Sequence, residues 1–124
     1  MSGLGASRRL VAAGALLAAA AVGLGAFGAH ALEGRVSAEA LGWWQTATNY
    51  LLPHAVAVVA IGLTGRASMA LPAWLLASGA ALFAATLFAM ALGGPRWLGA
   101  VTPLGGTAMI AGWLLLGLRG LREG

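Results

Sequence analysis

The sequence predicts an all-α protein, an integral membrane four-helix bundle, and three observations carry that prediction. Of 124 residues, 60% are hydrophobic and only 8% are charged, whereas a soluble domain carries about 25% charged residues. Four apolar runs, each near the ~20 residues that a spanning helix needs, are separated by short polar or Gly/Pro-containing segments. No Asp, Glu, Lys or Arg falls inside a run. The chain therefore reads as a single membrane domain over residues 1–124, with spans at about 10–31, 44–64, 71–92 and 102–118.

Charge and cysteine content narrow the function classes. The seven arginines and three carboxylates leave a formal charge of +4. The arginines stand mostly singly between apolar runs and form no basic patch, so no nucleic-acid partner is expected. Cysteine is absent, which excludes disulfides, thiol chemistry and Cys-ligated metals.

The first span has two unequal faces. Ala12, Ala15, Ala19, Gly23 and Ala26 lie in a narrow arc that ends at His30, with Leu10, Leu17 and Leu24 opposite. Small residues let membrane helices approach closely. The expectation is that Ala19, Gly23 and Ala26 pack against a neighbouring helix and that the leucines face lipid. Ser7-Arg8-Arg9 before this run resembles a twin-arginine export signal. The run is, however, longer than the usual 7–15-residue signal core, and further membrane segments follow it. A polar connection with Glu33, Arg35 and Glu39 comes next, with Ser37 placed to cap a helical turn over SAEAL.

The second span begins WWQTATNYLLPH and is the most informative stretch. Gln45, Thr46, Asn49, Tyr50 and His54 occupy about half of the helix circumference, and Trp44, Leu51, Leu52, Ala55, Val58 and Val59 take the rest. Hydrocarbon cannot satisfy such a polar half. The expectation is a buried polar cluster of these five residues with His30, covered by the first and fourth helices. Pro53 deprives the Asn49 carbonyl of its helical partner, which predicts a kink.

The third span opens with Pro72 in its first turn and carries Ala77, Ala81, Ala85 and Ala89 as a second expected packing stripe. Gly93-Gly94-Pro95 ends it. Thr102-Pro103 starts the fourth. From Pro103 to Leu118 that helix would reach only about 24 Å, short of the ~30 Å hydrocarbon core. Either the bilayer thins there, or residues 97–101 enter the membrane as irregular backbone. With the N-terminus inside, Arg8, Arg9, Arg66, Arg119 and Arg122 are cytoplasmic and Arg35 and Arg96 external, which favours two cytoplasmic termini. Trp43, Trp44 and Trp97 then gather at the outer interface, with Trp74 at the inner one.

Three motifs, GAFGAHAL (residues 25–32), W-Q-T-A-x-x-Y-x-x-x-H (residues 44–54) and RWLGAVTPLGG followed by GW (residues 96–106 and 112–113), resemble the YgdD/YwdK-like family in order and spacing. The resemblance covers essentially the whole chain. It implies a small four-helix membrane protein and supplies no biochemical role. Leu51-Leu52-Pro53 before His54 departs from the longer polar or Met-containing turn that the family pattern implies.

The residues themselves point away from catalysis. His30 and His54 are the only imidazoles. One lies near a span end and the other about 15 Å down its helix, which disfavours a shared haem or metal. No serine has a His–carboxylate arrangement. No catalytic, cofactor or metal residues are expected, and the protein is read as a non-enzyme of the plasma (inner) membrane. Its expected partners are the lipid bilayer and a homo-oligomer or larger membrane complex. The alternative reading is a passive conduit or transporter for an ion or small solute, lined by the polar half of the second helix.

Overall fold

In the computed structural model, which describes residues 2–123, four long helices run antiparallel in sequence order. They are α1 (Ser2–Phe27), α2 (Ala38–Leu63), α3 (Ala70–Ala91) and α4 (Thr102–Glu123). A π-helical turn, Gly28–Leu32, extends α1, and 3-10 turns precede α3 (Ala67–Met69) and α4 (Arg96–Ala100). All four helical segments are long and apolar enough to cross a membrane. α4 runs on to Glu123, but the added residues include Arg119, Arg122 and Glu123, so its apolar length still ends at Leu118, and the Arg96–Ala100 3-10 turn leads into its start.

The boundaries follow local chemistry. The Ser37 hydroxyl accepts from the Ala40 N–H at 3.1 Å, so the SAEAL turn is the start of α2 itself. α2 is continuous through Pro53. α3 ends in a Schellman arrangement: Gly93 sits at φ +98°, its N–H meets the Met90 carbonyl, and the Gly94 N–H meets that of Ala89 at 2.8 Å.

The helices α1, α2 and α3 touch one another, and α4 packs along α3. One end of the bundle gathers Leu10, Ile61 and Met69. There Arg119 donates to the Ser68 carbonyl at 2.6 Å, and the Ser68 hydroxyl donates to the Glu123 carboxylate. At the other end Arg96 meets Glu39 at 3.1 Å and lies over the Trp43 ring.

The core overturns the expected choice of faces. On α1 the inward residues are Leu10, Gly14, Leu17, Ala21, Leu24 and Gly28, all buried or half-buried. Ala19, Gly23 and Ala26 are exposed, and a Cβ on Gly23 would meet nothing within 4 Å. Alternation of large and small residues every three to four positions lets one helix interdigitate with the next. On α3, Ala77 is buried, Ala81 and Ala89 are half-buried and Ala85 is exposed. A strict four-residue spacing turns about 40° per step, so it leaves the face that Ala73, Leu76, Ala80, Ala84, Leu87 and Ala91 keep by mixing steps of three and four.

Glycines make the closest approaches. A Cβ on Gly79 would stand 2.8 Å from the Gly105 carbonyl, and one on Gly105 would stand 2.6 Å from the Gly79 carbonyl. The α3 and α4 backbones therefore cross in contact at this point.

Candidate functional site

Two features of α2 converge near mid-membrane, a groove towards α4 and an outward polar face. The midpoint of Ala38–Leu63 falls between Tyr50 and Leu51, so both features lie at the depth where unpaired polar groups cost most.

The groove is lined by Tyr50 and His54 of α2, Phe83 of α3, and Gly106, Met109 and Trp113 of α4, around a volume of about 430 Å³. The Trp113 indole Nε1–H donates to His54 Nε2 at 2.9 Å. An indole nitrogen can only donate, so Nε2 is the unprotonated nitrogen of the imidazole and Nδ1 carries the hydrogen. That hydrogen points to the Tyr50 carbonyl at 2.6 Å. Both ring nitrogens are thus engaged within the chain, and neither is free for a metal. The Tyr50 ring packs against Phe83 with centroids 5.0 Å apart, and the His54 ring meets Trp113 at 5.7 Å.

The outward face bears the rest of the expected polar cluster. Gln45, Thr46, Asn49 and Tyr50 are exposed, His54 is half-buried, and His30 is exposed on the π-helical turn. The expectation that α1 and α4 enclose these side chains does not hold within one chain. The buried face of α2 is instead Ala40, Trp44, Ala47, Leu51, Ala55 and Val58. The physical reason lies in α1, which has no hydrogen-bonding side chain from Val11 to Ala29. An Asn49 amide turned towards it would be buried without a partner. Only His54 reaches α4, through Trp113.

Several site residues carried no recognisable signal. Phe83 and Met109 look like any apolar membrane residue, and only the GW motif drew attention to Trp113. Thr86, buried at 5% exposure, bonds the Thr102 hydroxyl at 2.7 Å and ties α3 to the start of α4. Thr102 also donates to the Leu98 carbonyl. Trp44, expected at the interface, is 3% exposed. Its Nε1–H donates to the Leu24 carbonyl at 2.7 Å, and its ring lies between Phe27 and Phe88. Among the described residues no group of three or more His, Asp or Glu side chains stands close enough to hold a metal ion.

Comparison with known proteins agrees with this architecture. The chain is 45% identical over 106 residues to a UPF0382 membrane protein of Staphylococcus saprophyticus, covering 83% of this chain and 88% of that protein. It is 42% identical over 108 residues to the UPF0382 membrane protein YwdK of Bacillus subtilis, with the same two coverages. No solved structure matches. Residues 24–106 match the family described as "Protein of unknown function (DUF423)", a span that includes the π-helical turn, all of α2 and α3, and the start of α4. This four-helix membrane protein belongs to that family.

Proposed function

We propose that this protein is a non-catalytic subunit of a membrane assembly, held in the plasma membrane with both termini in the cytoplasm, and that the outward face of α2 is where it joins its partner. One observation carries the reading: Gln45, Thr46 and Asn49 stand on the outside of a spanning helix, Asn49 close to its midpoint. Lipid tails offer these groups no hydrogen bond, whereas a second protein surface does. The engagement of both His54 nitrogens supports a structural rather than a chemical part for the only imidazole at that depth.

Extraction in a mild detergent after crosslinking in native membranes, followed by native mass spectrometry, tests the reading. The expected result is a defined species heavier than the 12.3 kDa chain. A monomer without partners overturns it.

The conduit reading draws on the groove at Tyr50 and His54. The groove is open along the side of the bundle, so a solute path there needs a second surface to close it. Liposome flux that disappears in the Asn49→Leu variant would support that reading; absence of flux in the assembled protein would remove it.

A further inference from the structure

The structure points to a specific partner for this face: we propose that a second copy of this chain, inserted in the same orientation, packs α2 against α2 with the two Asn49 amides paired across a two-fold axis along the membrane normal. The inference rests on the assembly reading above and names the occupant of the face.

The seam is Gly42, Thr46, Asn49, Pro53, Val56 and Ala60, all exposed and spaced four, three, four, three and four residues apart. The alternation recurs every seven residues, as 42, 49 and 56 and as 46, 53 and 60, the repeat two helices keep when they coil around one another. It lies opposite the Trp44–Leu51–Val58 face that packs into the core, so docking breaks no contact within the chain. A Cβ on Gly42 would meet nothing within 4 Å, which leaves room for close approach at that end.

Self-pairing follows from symmetry and depth. Two chains inserted the same way are related by an axis along the membrane normal, so each residue meets its own counterpart at its own depth. Such a seam must be self-complementary. Asparagine is, because its amide carries both a donor NH₂ and an acceptor C=O. No seam residue is charged, so no like charges are brought together. Pro53, one turn further along the same seam, has no N–H to offer the Asn49 carbonyl, which adds an acceptor at this level. A single asparagine at a seam position is a recognised device for fixing register and oligomeric state.

The chain has no cysteine, so single reporters can be placed without background. Thr46→Cys and Val56→Cys lie on the seam, and Ala19→Cys and Leu114→Cys lie on exposed faces of α1 and α4. A disulfide requires Cα atoms within about 7 Å. Mild oxidation of full-length protein in native membranes is expected to give homodimers from the two seam reporters alone. Asn49→Leu is expected to lower the association constant roughly 3- to 20-fold, and Asn49→Gln to retain most of it. Asn49 is exposed, so its replacement is expected to leave the fold intact, and unchanged tryptophan emission serves as the folding control. Homodimers formed only through Ala19→Cys or Leu114→Cys overturn the α2 seam. Crosslinks from the seam to a different polypeptide overturn the second copy while leaving the assembly reading intact. A monomer with every reporter overturns both.

Discussion

The indole N–H of Trp44 donates to the backbone carbonyl of Leu24 across 2.7 Å, one turn before the chain widens into the π-helical turn at Gly28. The two facts belong together. A Cβ on Gly28 would stand 2.4 Å from Cδ1 and Nε1 of the same indole. Glycine at 28 lets the ring lie flat on the α1 backbone, and the ring ties α2 to α1 in return. Wide turns of this kind recur at functional sites, and here the turn holds the GAHAL part of a family motif.

Gly28→Ala is therefore expected to destabilise the protein by about 1–3 kcal/mol, since the indole is hemmed in by Phe27 and Phe88. Trp44→Phe loses both the donor and the volume of the second ring at a buried position, so it should cost a similar amount, about 1–3 kcal/mol. Thermal unfolding in detergent compares them. Equal stability of Gly28→Ala and the parent chain would contradict the close contact.

The Trp113–His54 bond is the side-chain hydrogen bond that links α4 to α2 at mid-depth. A double-mutant cycle with Trp113→Phe and His54→Ala should give a coupling of about 0.6 kcal/mol, and no more than roughly 1.7. Unfolding free energies of the four proteins measure it. Strict additivity would show that the two rings do not interact.

What the sequence made legible was set by chemistry that acts locally. Ser37 capping Ala40, Pro72 in a first turn and the Gly93-Gly94 stop depend on neighbours a few residues away, and each was placed from the sequence. The choice of faces was not, because it depends on what the next helix offers. Leu10, Leu17 and Leu24 were expected in lipid and pack inward because Gly14, Ala21 and Gly28 alternate with them. Asn49 was expected under cover from α1, yet α1 carries no hydrogen-bonding side chain from Val11 onwards. Its polarity was readable; the face it would take was not, because that depends on what the neighbouring helix can bond.

Glycines divide sharply by what surrounds them. A Cβ on Gly105 would meet the Gly79 carbonyl and the Phe83 backbone nitrogen at 2.6 Å, and a backbone cannot turn aside as a side chain can. Gly105→Ala must push α4 from α3, and a loss of about 1–3 kcal/mol is expected. Gly117 meets nothing within 4 Å, so Gly117→Ala should be neutral or gain up to about 1 kcal/mol from reduced backbone freedom. Chemical unfolding followed by circular dichroism ranks the pair. The reverse order would be incompatible with contact between the α3 and α4 backbones.

The ion pair between Arg96 and Glu39 carries less weight than its geometry implies. The two side chains are 79% and 58% exposed, and solvent screens such pairs. Glu39→Gln should shift stability by less than about 1 kcal/mol. A larger shift in thermal unfolding would mean that the pair is more enclosed than it is here.

Arginine placement makes the orientation testable in intact cells. Arg66 sits in the α2–α3 connection and Arg119 is bonded to Ser68 beside it, at the bundle end where α1 begins and α4 finishes. Arg8, Arg9 and Arg122 belong to the same end, whereas Arg35 and Arg96 belong to the other. Five against two favours the arginine-rich end inside. Ala67→Cys and Glu33→Cys are both exposed and lie at opposite ends. A membrane-impermeant maleimide should label Glu33→Cys in intact cells and reach Ala67→Cys only after permeabilisation. The opposite pattern would place the termini outside and reverse the assigned orientation.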